Sequence, residues 1–141
     1  MENMRLQGVL ELKFYKNGEL VHSESAHNLV VDSGYNALFA GLSGIANKHI
    51  VKVQCGSNGT TPTAGDTIIT DAVDLLINSK ITNPNSIIIH FTLGSTNANG
   101  LTIAEFGTIC ADGTLFSRKT WTPFLKIADL SVEGTWTISR I

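Results

Sequence analysis

Between Asp129 and Ile141 apolar and polar side chains change places at almost every step. Leu130, Val132, Trp136 and Ile138 fall on one face, and Ser131, Glu133, Thr135, Thr137 and Ser139 on the other. A period of two belongs to a strand with one face against a core, because successive side chains leave a strand on opposite sides. Gly134 falls on the apolar face, where a missing side chain marks either a bulge or the close approach of a neighbour.

The same grammar recurs along the chain. Val9, Leu10, Leu12 and Phe14 lead into Lys16-Asn17-Gly18-Glu19, and Leu20-Val21-His22-Ser23 leads away. Asn-Gly supplies the positive φ angles of a two-residue hairpin turn. Ile50 to Cys55 alternates from Val51 onward, Ser86 to Leu93 reads as another strand, and Leu101–Ala111 with Thr114–Trp121 forms a second hairpin around Asp112-Gly113. Residues 68–82 fit a helical turn through Val73, Leu76 and Ile77 as well as they fit a strand. One segment reads as a helix: after Asn28-Leu29-Val30-Val31, Asp32 or Ser33 can cap it, Tyr35, Leu38, Phe39 and Leu42 form a stripe, and Gly44 stops it. About eight short strands with turn signals between them predict an all-β fold. The expectation is a single domain over residues 1–141, a two-sheet, jelly-roll-like β-sandwich with one short helix, in which residues 1–6 form an N-terminal arm.

With 141 residues the chain can bury a core without metal or disulfide staples. Charged residues are only 16% and the net charge is −2, and no basic run tracks a phosphate backbone, so nucleic acid is not an expected partner. No apolar stretch reaches the ~20 residues that cross a bilayer, and Met1-Glu2-Asn3-Met4-Arg5 leads into no signal-peptide core. The expectation is therefore a protein made in the cytoplasm and kept there or assembled from it, with no membrane partner and an idle Asn58-Gly59-Thr60 sequon. Cys55 and Cys110 lack a CxxC partner and read as buried small hydrophobes. Their pairing would require strand adjacency that spacing leaves open.

A search for chemistry gives little. The loop Gly56-Ser57-Asn58-Gly59-Thr60-Thr61-Pro62-Thr63-Ala64-Gly65-Asp66-Thr67 lacks the lysine and following helix of a phosphate-binding loop. Ser57 does not sit in a nucleophile elbow. His22, His27, His49 and His90 show no metal-ligand spacing. The acids Glu11, Glu105, Asp66 and Asp71 carry no signal that would pair them as a glycosidase pair. The expectation is no catalytic residue, cofactor or metal. Trp121-Thr122-Pro123-Phe124 ends a strand with large apolar groups that either plug the end of the fold or face a neighbouring subunit.

Four stretches together resemble a family of small tailed-phage virion structural proteins. Cys55-Gly56-Ser57-Asn58-Gly59-Thr60-Thr61-Pro62 through Asp66-Thr67 is similar to that family's "GxGxTxPxxxDT" loop, and Asn28 to Gly34 to its "HNLVVxxG" segment. Ile103-Ala104-Glu105-Phe106-Gly107 with Asp112-Gly113-Thr114-Leu115-Phe116-Ser117-Arg118 resembles "IxExGLF…DGTLLAR", and Val132 to Ile138 resembles the closing "LxVxWTI" strand. The resemblance runs over most of residues 7–139 and implies a virion protein assembled in the host cytoplasm, some members being capsid decoration or cement proteins and others carrying tail or tail-fibre labels. It brings no catalytic residues. Partners on the decoration reading are the major capsid protein and copies of the chain itself, as a dimer or trimer. The alternative is a tail or tail-fibre module that binds a host receptor, although no shaft-like repeat is present. Exposure arguments put the contact residues at Met1, Glu2, Asn3, Met4, Arg5 and Leu6, at Asn58, Thr60, Thr61, Pro62 and Thr63, and at Trp121, Pro123 and Phe124.

Overall fold

A computed structural model describes residues 5–141. Its strands are β1 (Leu6–Lys16), β2 (Glu19–Val30), β3 (Ile50–Gly56), β4 (Val73–Asn83), β5 (Ser86–Leu93), β6 (Thr102–Cys110), β7 (Leu115–Leu125) and β8 (Leu130–Arg140), with one helix, α1 (Asp32–Leu42), between β2 and β3. The sandwich expectation fails. The strands close into one antiparallel barrel in the order β1-β2-β7-β6-β3-β4-β5-β8. Alternation within a strand is the same in a sandwich and a barrel. What decides between them is pairing between strands distant in sequence, above all β1 with β8 from Leu6↔Arg140 to Lys16↔Leu130.

An eight-stranded barrel is just wide enough for side chains to fill it. Leu10, Leu12, Val53, Cys55, Ile89, Phe91, Leu93, Ile103, Phe106, Val132 and Trp136 do so. Gly134 is a close approach rather than a bulge: β8 stays in register there with both neighbours, and an added Cβ would lie 2.1 Å from the Phe91 ring. The Phe91 ring thus occupies the space a side chain at 134 would need. Of residues 68–82, those from Val73 onward are strand, part of β4, and residues 68–72 are loop and turn. Asn17 (φ 50°) and Gly18 (φ 81°) make the first turn as expected.

The helix forms where its apolar stripe predicts, but neither proposed cap acts. Val31 occupies the N-cap with no side-chain hydrogen bond, and Ser33 Oγ donates instead to the Leu115 carbonyl at 2.6 Å. That bond docks the start of α1 on β7. At Gly34 a Cβ would stand 2.1 Å from the Phe116 carbonyl oxygen, so the docking depends on a residue without one. On the β1 side of the helix, Tyr35 Oη accepts the Leu6 N–H at 3.2 Å.

Candidate interaction surface

The glycine-rich loop is held from within. Glu105 on β6 and Arg118 on β7 are buried, with Arg118 only 2% exposed and Glu105 fully enclosed. Arg118 Nε donates to Glu105 Oε1 at 2.8 Å. Its Nη1 donates to the Thr60 carbonyl and to Asp66 Oδ2, both at 2.9 Å, and its Nη2 to the Asn58 carbonyl at 2.8 Å. Glu105 Oε2 accepts the N–H groups of Asn58 (2.8 Å) and Thr70 (3.0 Å). Asp66 closes the circuit by accepting from the Thr63 N–H at 2.9 Å and the Thr63 hydroxyl at 2.8 Å. Partial burial pushes the Asp66 pKa up, but the bonds from Thr63 and Arg118 outweigh it and hold the carboxyl below its ordinary value.

Two of the four acids singled out from sequence, Glu105 and Asp66, are therefore brought together, through an arginine that ion-pairs with both. Asp71 instead accepts from the Ser57 hydroxyl at 2.6 Å, and Glu11 stands 4.0 Å from Lys13. The chemistry of this cluster is to pin residues 57–70 over the outer face of β6. The second small core of Val31, Ile69, Ile109 and Leu115 grows beneath that cover, and β6 from Ile103 onward is buried on both faces. Within the loop Gly59, Thr60, Thr61 and Thr63 remain exposed, while Asn58 and Pro62 are half-buried.

Of the expected N-terminal contacts, Met1, Glu2, Asn3 and Met4 lie outside the described residues. Leu6 is not part of an arm but the first residue of β1, and the Arg5 carbonyl accepts the Ile141 N–H at 3.0 Å. Extended pairing with β8 thus begins earlier than the sequence suggested.

The third region has a split character. Trp121 is buried, its ring edge-on to Phe106 with centroids 6.4 Å apart, and Phe124 is half-buried and edge-on to Phe14 at 5.1 Å. Trp121 belongs to the barrel core and Phe124 packs against it. Pro123 and Leu125 remain exposed beside them, Leu125 by 56%. Opposite stands β2, which pairs with β7 only at Leu29↔Arg118 and Val30↔Ser117. Beyond that point the two strands diverge around a cleft of about 480 Å³ lined by Phe14, Val21, His22, Trp121, Pro123 and Phe124. Leu20 and Val21 on β2 are 55% and 58% exposed. A second apolar groove of about 510 Å³ lies between α1 and the barrel, where Leu42 and Ile45 are exposed.

Sequence reading missed three participants. Arg118 carries the loop but looked like an ordinary residue of a strand motif. Lys126 is buried, its Nζ donating to the Asn99 side-chain carbonyl at 2.8 Å and to the Ile127 carbonyl at 2.9 Å. Desolvation lowers its pKa. The length of β2 was missed too, and a signal existed: Leu20 to His27 shows no apolar alternation, the mark of a strand segment without a core face.

Cys55 and Cys110 are buried and free. They sit on paired strands, but Cys110 lies opposite Ile50 and Cys55 opposite Phe106, too far along the ladder to bond. Burial pushes their thiols up to about 12 and about 11. Among the described residues no group of three His, Cys, Asp or Glu side chains is placed to hold a metal ion, and no helix is long and apolar enough to cross a membrane. Comparison with known proteins finds no matching family, no matching curated protein and no matching solved structure.

Proposed function

We propose that this chain is a non-enzymatic structural protein of a tailed-phage virion, stationed on the head as a decoration or cement protein that binds the major capsid protein and copies of itself. The observation that carries the reading is the set of large apolar side chains exposed at two places on a rigid barrel: Leu20, Val21 and Leu125 at the splayed seam, and Phe39, Leu42 and Ile45 on and after α1. Exposed apolar groups clustered beside polar ones suit protein docking. A cement protein works by such modest contacts multiplied through symmetry. The pinned loop supports the same reading, because it presents Thr60, Thr61 and Thr63 on a fixed backbone and so loses little entropy on contact. The motif resemblance supplies the virion context.

The test mixes purified protein with phage heads lacking it and, separately, with intact tails, and images both. A regular lattice on heads is expected, weakened by Leu125→Asp with the barrel still folded. Label confined to tail tips replaces the head reading with the tail-fibre one, and label on neither overturns both.

A further inference from the structure

We infer that the free edge of β2 is a self-association site, at which two copies pair β2 to β2 about a two-fold axis through Ser23. This deepens the self-association part of the proposed assembly role and rests on that reading only there.

The first ground is the backbone. From Glu19 to Asn28 one edge of β2 is paired with β1, while the other meets β7 only at Leu29 and Val30. An unpaired edge is a template for another strand. β2 carries neither lysine nor proline, and its ladder with β1 is regular from His22 to Asn28, a bulge at Val21 setting Glu19 and Leu20 apart from that stretch. Beyond Leu29 and Val30 the cleft lined by Phe14, Val21, His22 and Phe124 separates this edge from β7.

The second ground is the sequence of the edge, Glu19-Leu20-Val21-His22-Ser23-Glu24-Ser25-Ala26-His27. An antiparallel pair centred on Ser23 sets His22 of each copy opposite Glu24 of the other, within the stretch of β2 that lies on the regular side of the bulge at Val21. Directly opposed unlike charges favour a register and like charges disfavour it. Moving the centre to Glu24 would oppose Glu24 to itself, and moving it to His22 would oppose the two imidazoles. The centre at Ser23 opposes a histidine to a carboxylate twice, His22 to Glu24 in each direction. Within one copy His22 Nε2 already lies 3.2 Å from Glu24 Oε2 on an exposed face, so pairing would gather the His22 and Glu24 groups of both copies in alternation around the axis. It would also cover Leu20 and Val21.

The test uses the full chain. Ser23→Cys is expected to give a disulfide-linked dimer on mild oxidation, because directly opposed residues of an antiparallel pair lie about 4.5–5.5 Å apart at Cα, within disulfide reach. Ser25→Cys, displaced along the strand from its symmetry mate, is expected not to. Cys55 and Cys110 are buried and leave the new thiol as the accessible one. In parallel, His22→Glu and Glu24→Lys are each expected to be folded monomers by sedimentation. Their mixture is expected to dimerise, since the carboxylate introduced in one variant would then face the ammonium introduced in the other. Absence of the Ser23→Cys crosslink, crosslinking through Ser25→Cys instead, or dimers that survive either charge variant alone would overturn the pairing. A chain that pairs in this way without binding heads keeps the inference and removes the shell reading. A chain that binds heads as a monomer does the reverse.

Discussion

The Arg118 guanidinium is buried beneath a loop, and everything it touches there is polar. It joins two carboxylates and two carbonyls, converting a loop rich in Gly and Thr into a fixed cover for β6. Removing one partner of a buried pair strands the other, so Arg118→Leu should cost about 3–5 kcal/mol in urea unfolding, because Glu105 is left uncompensated. Glu105→Gln added to Arg118→Leu should recover a large part, because Gln is neutral and its carbonyl can still accept from Asn58 and Thr70. Equal instability of the single and double variants would show that the loop contacts, rather than the buried charge, dominate. None of this was legible in the sequence. Glu105 and Asp66 were noticed as acids, but their shared arginine lies 13 and 52 residues away, and only folding reveals it.

At the scale of elements, β2 behaves as two strands in one. Its last residues seal the barrel, while Glu19 to Asn28 hangs from β1 alone. Hydrogen bonds at such an edge open without disturbing the core. The Leu20–Ala26 amides on the β7 side should therefore exchange with deuterium far faster than those of β8, which is flanked throughout by β1 and β5. Comparable protection in dilute solution would mean that the edge is already covered. The sequence located most elements well, because alternation and Asn-Gly or Asp-Gly turns are local signals. It misjudged the ends. Pro123 was read as closing a strand that in fact continues to Leu125, which an edge position tolerates since a free edge needs no N–H donor. Ile50 and Val53 both face the core, with Val51 turned outward, because the β3–β6 ladder shifts register between Ile50 and Lys52. Such a bulge leaves no mark on composition.

For the whole molecule, barrel rather than sandwich means that the interior is a single core, with both cysteines inside it. Their raised pKa values and burial keep them from thiol reagents at neutral pH. In a denaturant series both should become reactive in the same transition that abolishes the native tryptophan fluorescence, and reaction of either one earlier would show that the barrel opens in parts. All-β architecture was readable from the chain. Closure was not, because it depends on which distant strands meet, and no local pattern encodes that.

The ladder between β1 and β8 joins the first strand of the fold to the last. Loop-closure entropy must be met before so distant a pairing gains anything. A nascent chain cannot complete its barrel until β8 has left the ribosome, and until then β1 and β5 each lack the neighbour that β8 provides. The slow step of folding should accordingly be the arrival of the C-terminal strand, and through that interval the growing chain holds two unsatisfied strands open to its neighbours on the same message.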